Sequence, residues 1–223
     1  WDVAKSLWVE SYLDKFDLEK IKILKNFIKN FKDNLHLYQK LEKSIIHNDI
    51  NDNNIIVSND FLNPTVKSVI DFGDAVFSQT INDLAITCSY GIMNLNDPLS
   101  GCIDILEGYN QNRKVKDNEL KLLYNLIAMR LVISVTKSSI NKYKEPGNKY
   151  LLISEKSAWN LLNKWSEIDS EFAYYSFRKA CSLDAHPGKK KFDKWAKKNK
   201  FFIGDILPEI NKTKFYNLDL SIG

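Results

Sequence analysis

A polar loop held between apolar runs constrains this chain more than any other stretch. It reads Ile45-Ile46-His47-Asn48-Asp49-Ile50-Asn51-Asp52-Asn53-Asn54-Ile55-Ile56-Val57, and after a turn it continues into Ser68-Val69-Ile70-Asp71-Phe72-Gly73-Asp74. Residues 44–46 and 55–57 carry strand signals on either side of the loop, and a third apolar run, 66–70, ends in acid. We read the whole as one hairpin at a candidate active site. Asp49, Asn54 and Asp71 then stand at strand ends and in loops, where side chains converge while the strands stay rigid.

The spacing has a chemical meaning. Phosphoryl transfer from ATP asks for a carboxylate beside the attacking hydroxyl, an oxygen ligand for magnesium, and a second carboxylate for the same or another magnesium. Kinases supply these as Asp, then Asn five positions later, then the Asp of an Asp-Phe-Gly turn. Asp49, Asn54 and Asp71-Phe72-Gly73 keep that order. Two hard-oxygen ligands suit magnesium, which retains waters and borrows phosphate oxygens. His-x-Asp alone is a weak signal, and so is Asp-Phe-Gly alone. Together and in order, each at the edge of an apolar strand, they outweigh the bland alternative of an Asn/Asp-rich surface loop and an ordinary turn.

These residues resemble the C-terminal lobe of the aminoglycoside phosphotransferase and choline kinase superfamily, whose members share a protein-kinase-like fold. The matching segment covers residues 43–90. Within it, Ile70-Asp71-Phe72-Gly73-Asp74-Ala75-Val76 followed by Asn82-Asp83-Leu84-Ala85 is similar to the branch holding hydroxylysine kinases and homoserine-kinase-like proteins. The resemblance implies Asp49 as catalytic base, Asn54 and Asp71 as magnesium ligands, and His47 and Asp83 as supports of the loop. Asn48 departs from the Gly usual at its position. Asn tolerates left-handed backbone angles better than most residues, so the turn survives the change.

Length and composition set the frame. The 223 residues suit one domain or one large lobe, and the 44% apolar fraction suffices for a core. The net charge of +4 is a mild bias, with Lys and Arg scattered among acids except near residues 188–200, and it does not argue for nucleic acid. No run approaches a membrane span and no signal-peptide pattern opens the chain, so we expect a cytoplasmic protein with no membrane partner. Cys88, Cys102 and Cys181 are widely separated, odd in number and without metal spacing, and read as reduced buried thiols.

In chain order, residues 1–13 read as a helix with Val3, Leu7 and Trp8 apolar. Asp17 can cap a second helix whose stripe is Leu18, Ile21, Leu24, Ile28 and Phe31. A kinase also needs a Gly-rich phosphate cover and a strand Lys paired with a helix Glu ahead of its catalytic loop. The first glycine here is Gly73, and the 46 residues before His47 read as helices. The expectation is a fragment of a larger protein without the N-lobe, inactive by itself. Thr80 or Asn82 can cap a helix over 83–93. Asp83 in its first turn suits the helix dipole, the bracing of the catalytic loop, or both. Asn96-Asp97-Pro98 marks a turn before a helix to about Tyr109. Asp117 can cap the longest helix, which presents Leu120, Leu123, Ile127, Leu131 and Ser134 on one face and ends before Glu145-Pro146-Gly147. Arg130, inside that apolar stretch, is either a surface or ion-paired residue, or a partner for the acidic site or an anionic substrate group. Helices over 150–165 and 169–181 follow. After Asp184-Ala185-His186-Pro187-Gly188 comes a basic segment with a short helix around Phe192 and Trp195. His36 reads as structural or exposed, and His186 beside Pro187 as a turn residue rather than a ligand.

Tyr175-Ser176-Phe177-Arg178-Lys179-Ala180-Cys181 and Leu218-Asp219-Leu220-Ser221-Ile222-Gly223 resemble the linker of large fused bacterial proteins. In those proteins a phosphotransferase-like domain precedes a metallopeptidase-like domain and a class III, pyridoxal-phosphate aminotransferase-like domain. The expected architecture is α+β and mostly α: a kinase-like lobe over 1–182, with a small β-hairpin at the cleft, then a basic linker over 183–223. The expected function is ATP- and magnesium-dependent transfer to the hydroxyl of a small, amine-bearing molecule. Asp74 is a further candidate for a cationic substrate group. The partners expected are that substrate and further parts of the same polypeptide. The competing readings are a non-catalytic, kinase-derived interaction domain and a magnesium-dependent hydrolase using the same acids.

Overall fold

The computed structural model describes residues 2–60, 62–144 and 150–199. The chain divides into two compact units, Trp1–Ala185 and His186–Gly223. The break at Glu145-Pro146-Gly147 and residues 200–223 of the basic extension lie outside the described residues.

The first unit opens with a 3-10 helix, Val3–Lys15, interrupted by non-helical angles at Lys5. It is followed by α1 (Leu18–Asp33) and the single turn α2 (Leu35–Tyr38). The Asp17 carboxylate accepts from the Lys20 N–H and caps α1 as its position suggests. The expected stripe is shifted. Leu18 is 84% exposed, and Leu24, Phe27, Ile28 and Phe31 face the core. Leu18 is the first residue of the helix, one turn before the core edge, so its place on the periodic face brings it no neighbour to pack against.

Four short strands follow: β1 (Lys43–Ile46), β2 (Ile55–Val57), β3 (Val66–Val69) and β4 (Val76–Gln79). They make two antiparallel pairs, β1 with β4 and β2 with β3. The hairpin is therefore β2–β3. The strand before the polar loop pairs instead with β4, Ile45 opposite Phe77, which the sequence reading did not anticipate. β4 has one exposed aromatic and two buried polar residues, Ser78 and Gln79, so no apolar alternation marks it.

The rest is helical: α3 (Ile81–Gly91), α4 (Pro98–Asn112), α5 (Asp117–Lys144), α6 (Tyr150–Glu167) and α7 (Ser170–Ala180). Asp97 caps α4 by accepting from the Ser100 N–H, with Pro98 at the first helical position. α5 is the axis of the unit, packing against α1, α3, α6, α7 and the N-terminal 3-10 helix. Leu120, Leu122, Leu123, Leu126, Ile127, Met129, Leu131, Val132 and Val135 are all buried, so the middle of α5 is buried all round rather than along one face. Asp117 does not cap it. The Glu119 carboxylate accepts from the Lys116 N–H at 2.8 Å, while Asp117 bonds Arg178 and the Tyr174 hydroxyl. Trp165 on α6 stacks on Tyr124 of α5, ring centroids 5.2 Å apart, and its indole N–H donates to the Tyr124 carbonyl. Thr80 precedes α3 without capping it; its hydroxyl meets Ser44 instead.

The second unit contains α8 (Lys189–Lys198), whose Phe192 and Trp195 rings lie 6.0 Å apart and exposed. Among the described residues no helix is long and apolar enough to cross a membrane.

Candidate active site

Backbone geometry sets up the loop after β1. Asn48 has φ 68° and Asp71 φ 62°, two of the four non-glycine residues with positive φ among those described. Such angles cost free energy in L-residues and persist where the surroundings over-determine them. At Asn48 the surroundings are explicit. Both oxygens of Asp83, in the first turn of α3, accept backbone N–H groups of the loop: Oδ2 from His47 at 3.0 Å and Oδ1 from Asn48 at 2.8 Å. The Asn48 amide nitrogen donates to the Asp74 carbonyl at 3.2 Å. Asp83 thus braces the loop from the helix, and the helix N-terminus favours its charge.

His47 is buried, and both ring nitrogens meet backbone groups. Nε2 lies 2.9 Å from the Ile70 carbonyl oxygen, and Nδ1 accepts from the Asp49 N–H at 3.3 Å. A carbonyl only accepts and an N–H only donates, so the geometry calls for the neutral ring with its proton on Nε2. Phe72 lies against the ring at 4.6 Å. His47 therefore has the geometry of a support, with neither nitrogen left for proton transfer.

Ile70 joins the two halves of the site. Its N–H donates to the Asn54 carbonyl at 3.0 Å, and its own carbonyl takes His47. With Ile55 opposite Val69, the β2–β3 register sets Asn54 across from Ile70, one residue before Asp71. The hairpin thereby brings Asp71 to within one residue of the position opposite Asn54, although 17 positions separate the two in sequence. Asp71 is exposed, and its Oδ1 accepts only a long 3.4 Å bond from the Gly73 N–H. The buried Asn54 commits its amide nitrogen to the Asp49 carbonyl at 2.9 Å, which leaves its oxygen as an acceptor. These are two hard oxygens suited to magnesium, whose remaining positions go to water and phosphate. Among the described residues no group of three or more His, Cys, Asp or Glu side chains is placed to hold a metal ion by itself.

Asp49 is held on both edges. Its Oδ1 accepts from Arg130 Nη2 at 2.7 Å, and its Oδ2 from Asn51 at 3.1 Å and Asn54 at 3.4 Å. Arg130 reaches it from α5, 81 positions away. The same Nη2 donates to the Tyr90 hydroxyl at 2.8 Å, and the guanidinium lies 5.2 Å from the Tyr90 ring centroid. Burial raises the Tyr90 pKa, with the Arg130 charge opposing. Asp74 is exposed and enters the site through its backbone carbonyl. Sequence reasoning missed Asn51, Tyr90 and Lys137. Lys137 stands two turns beyond Arg130 on α5, half-buried, with its pKa lowered by burial and by Arg130. Its one signal was the seven-residue spacing of two cations in an apolar helix.

Residues 2–104 match the phosphotransferase enzyme family, and that segment is a phosphotransferase-family domain. The chain is 26% identical to hydroxylysine kinase of Xenopus laevis over 183 residues, 77% of this chain and 48% of that protein. It is 24% identical to hydroxylysine kinase of Mus musculus over 173 residues, 74% of this chain and 46% of that protein. Both likenesses are consistent with the aminoglycoside phosphotransferase and choline kinase superfamily. The chain spans about half the length of the curated relatives it matches. No solved structure matches it.

Proposed function

We propose that this chain carries the catalytic loop and metal side of an ATP- and magnesium-dependent kinase acting on the hydroxyl of a small, amine-bearing molecule of the hydroxylysine type. The observation that carries the reading is the juxtaposition of Asn54 and Asp71 across β2–β3 beside a doubly held Asp49. The acceptor hydroxyl donates its hydrogen bond to the Asp49 carboxylate. Its oxygen forms a bond to the γ-phosphorus while the bond from that phosphorus to the β–γ bridging oxygen breaks. The electron pair leaves with ADP, and the hydroxyl proton passes to Asp49. Asn54 and Asp71 would hold magnesium, which neutralises charge on the phosphate oxygens. His47 and Asp83 keep the loop in register and touch no substrate. The phosphate cover and its Lys would come from another part of the same polypeptide; the exposed Ile45, Ile56, Ile70, Phe72 and Phe77 offer that part an apolar seat.

Calorimetric titration of MgATP into the full native polypeptide tests the metal assignment. Asp71→Ala deletes a full charge opposite a divalent cation and should abolish magnesium-dependent binding. Asn54→Ala should weaken binding and be partly rescued by more magnesium. Asp49→Asn should remove nearly all transfer and leave nucleotide affinity largely intact. Unchanged binding in Asp71→Ala would reduce the Asp-Phe-Gly segment to an ordinary turn.

A further inference from the structure

We infer that Arg130 is a positioning residue for the transfer: a buried cation on α5, seated on Tyr90, that fixes the rotamer of Asp49. The inference rests on the kinase reading above and adds a residue that never meets substrate. Arg130 is only 1% exposed, so its guanidinium lies beneath the carboxylate and away from any acceptor. A charge placed there is costly unless paired and hydrogen-bonded. Asp49 Oδ1 and the Tyr90 hydroxyl, both on the same terminal nitrogen, provide that pairing, and the guanidinium carbon lies over the Tyr90 ring, 5.2 Å from its centroid.

Asp49 gains orientation from the contact. It stands in an irregular loop, 20% exposed, where a carboxylate without lateral bonds would turn about its own side-chain torsions. An ionised carboxylate has about four acceptor sites. Arg130, Asn51 and Asn54 occupy three of them, the last through a long bond. The remaining site is the one from which an acceptor hydroxyl can be bound. The loop supplies Asn51 and Asn54 locally, but both approach Oδ2 alone. Only a group from outside the loop can hold Oδ1, and α5 delivers it from the rigid centre of the core. Arg suits the role better than Lys because its flat group stacks on an aromatic ring while directing N–H bonds in its plane.

Steady-state kinetics of the full native polypeptide test this, with hydroxylysine and a set of amino alcohols as acceptors and urea unfolding as the control for folding. Arg130→Met should lower kcat by about a hundredfold, the cost of a misplaced catalytic group, with KM for ATP changed less than about threefold. Arg130→Lys should recover part of that loss. Tyr90→Phe, which keeps the ring and drops one hydroxyl, should lower kcat by about threefold in the same direction. If Arg130→Met does not fold, the Lys and Phe variants carry the test. A folded Arg130→Met or Arg130→Lys with kcat within about twofold of wild type overturns the inference and leaves the kinase reading standing. A wild-type polypeptide that phosphorylates none of the acceptors overturns both.

Discussion

Asn48 shows how one residue carries several duties in this loop. Its φ of 68° lies where glycine is at ease, yet its side chain ties the loop to Asp74 and its N–H meets Asp83. Asn48→Gly removes a backbone penalty of about 1 kcal/mol and loses one hydrogen bond of about 1 kcal/mol. The two nearly cancel, so stability should stay within about 1 kcal/mol of wild type. Asn48→Ala loses the bond and deepens the penalty, and should cost about 2 kcal/mol. Urea unfolding of the two variants gives the order, Gly above Ala; the reverse order would mean that backbone angle does not govern this site. Asp83 carries the other half of the load. The His47 and Asn48 N–H groups, which face α3, would lose their acceptor together if that carboxylate were removed.

Helix α5 shows how an element's ends and middle answer to different forces. At its start, the Glu119 side chain is 1% exposed and receives Arg113 Nη2 at 2.7 Å together with the Lys116 N–H. Asp117, two residues earlier, is half exposed and faces Arg178 and Tyr174 on α7. Glu119→Ala leaves a partly buried Arg and a helix-start N–H without their acceptor and should cost about 3 kcal/mol. Asp117→Ala takes a half-exposed carboxylate from the buried Arg178, which keeps the Asp184 carbonyl and the Tyr174 hydroxyl, and should cost about 2 kcal/mol. Thermal or urea unfolding checks the order, and a larger loss at Asp117 would return the cap to the residue the sequence favours. In its middle the helix is buried on every side, which lets Arg130 arrive at Asp49 from a rigid base.

The whole first unit closes over its thiols. Cys88 on α3 and Cys102 on α4 are both fully buried, and a hydrogen bond with Cys88, together with burial, pushes the Cys102 thiol well above its ordinary pKa. Cys181, at the end of α7, is pushed up to about 11 by burial. A thiol with a raised pKa holds little thiolate near neutrality, and thiolate is the reactive form. Cys102 and Cys181 should therefore resist an aromatic disulfide reagent at pH 8 in the native protein, Cys88 should do so because burial denies the reagent access, and all three should react together on addition of urea. Prompt native labelling of Cys102 would show that the α3–α4 contact opens without global unfolding.

The sequence by itself determined the local chemistry. The order of Asp49, Asn54 and Asp71-Phe72-Gly73 pointed to the phosphotransferase family that residues 2–104 match, Asp17 announced its helix, and Asn96-Asp97-Pro98 marked the turn before another, because caps, turns and motif order are set by neighbours a few positions apart. Strand pairing, the shift of the α1 face and the true cap of α5 were decided by the tertiary structure. β1 chose β4 over β2, Leu18 stayed in solvent and Glu119 displaced Asp117, since each outcome depends on what stands opposite in space. The same holds for the partner of Asp49. Arg130 was visible as a charge in an apolar helix, but its choice between solvent, substrate and the Asp49 carboxylate was set only when α3 and α5 packed together and brought Tyr90 beneath it. Periodicity and spacing record short-range geometry, whereas a buried charge is placed by the counter-charge that folding brings to it.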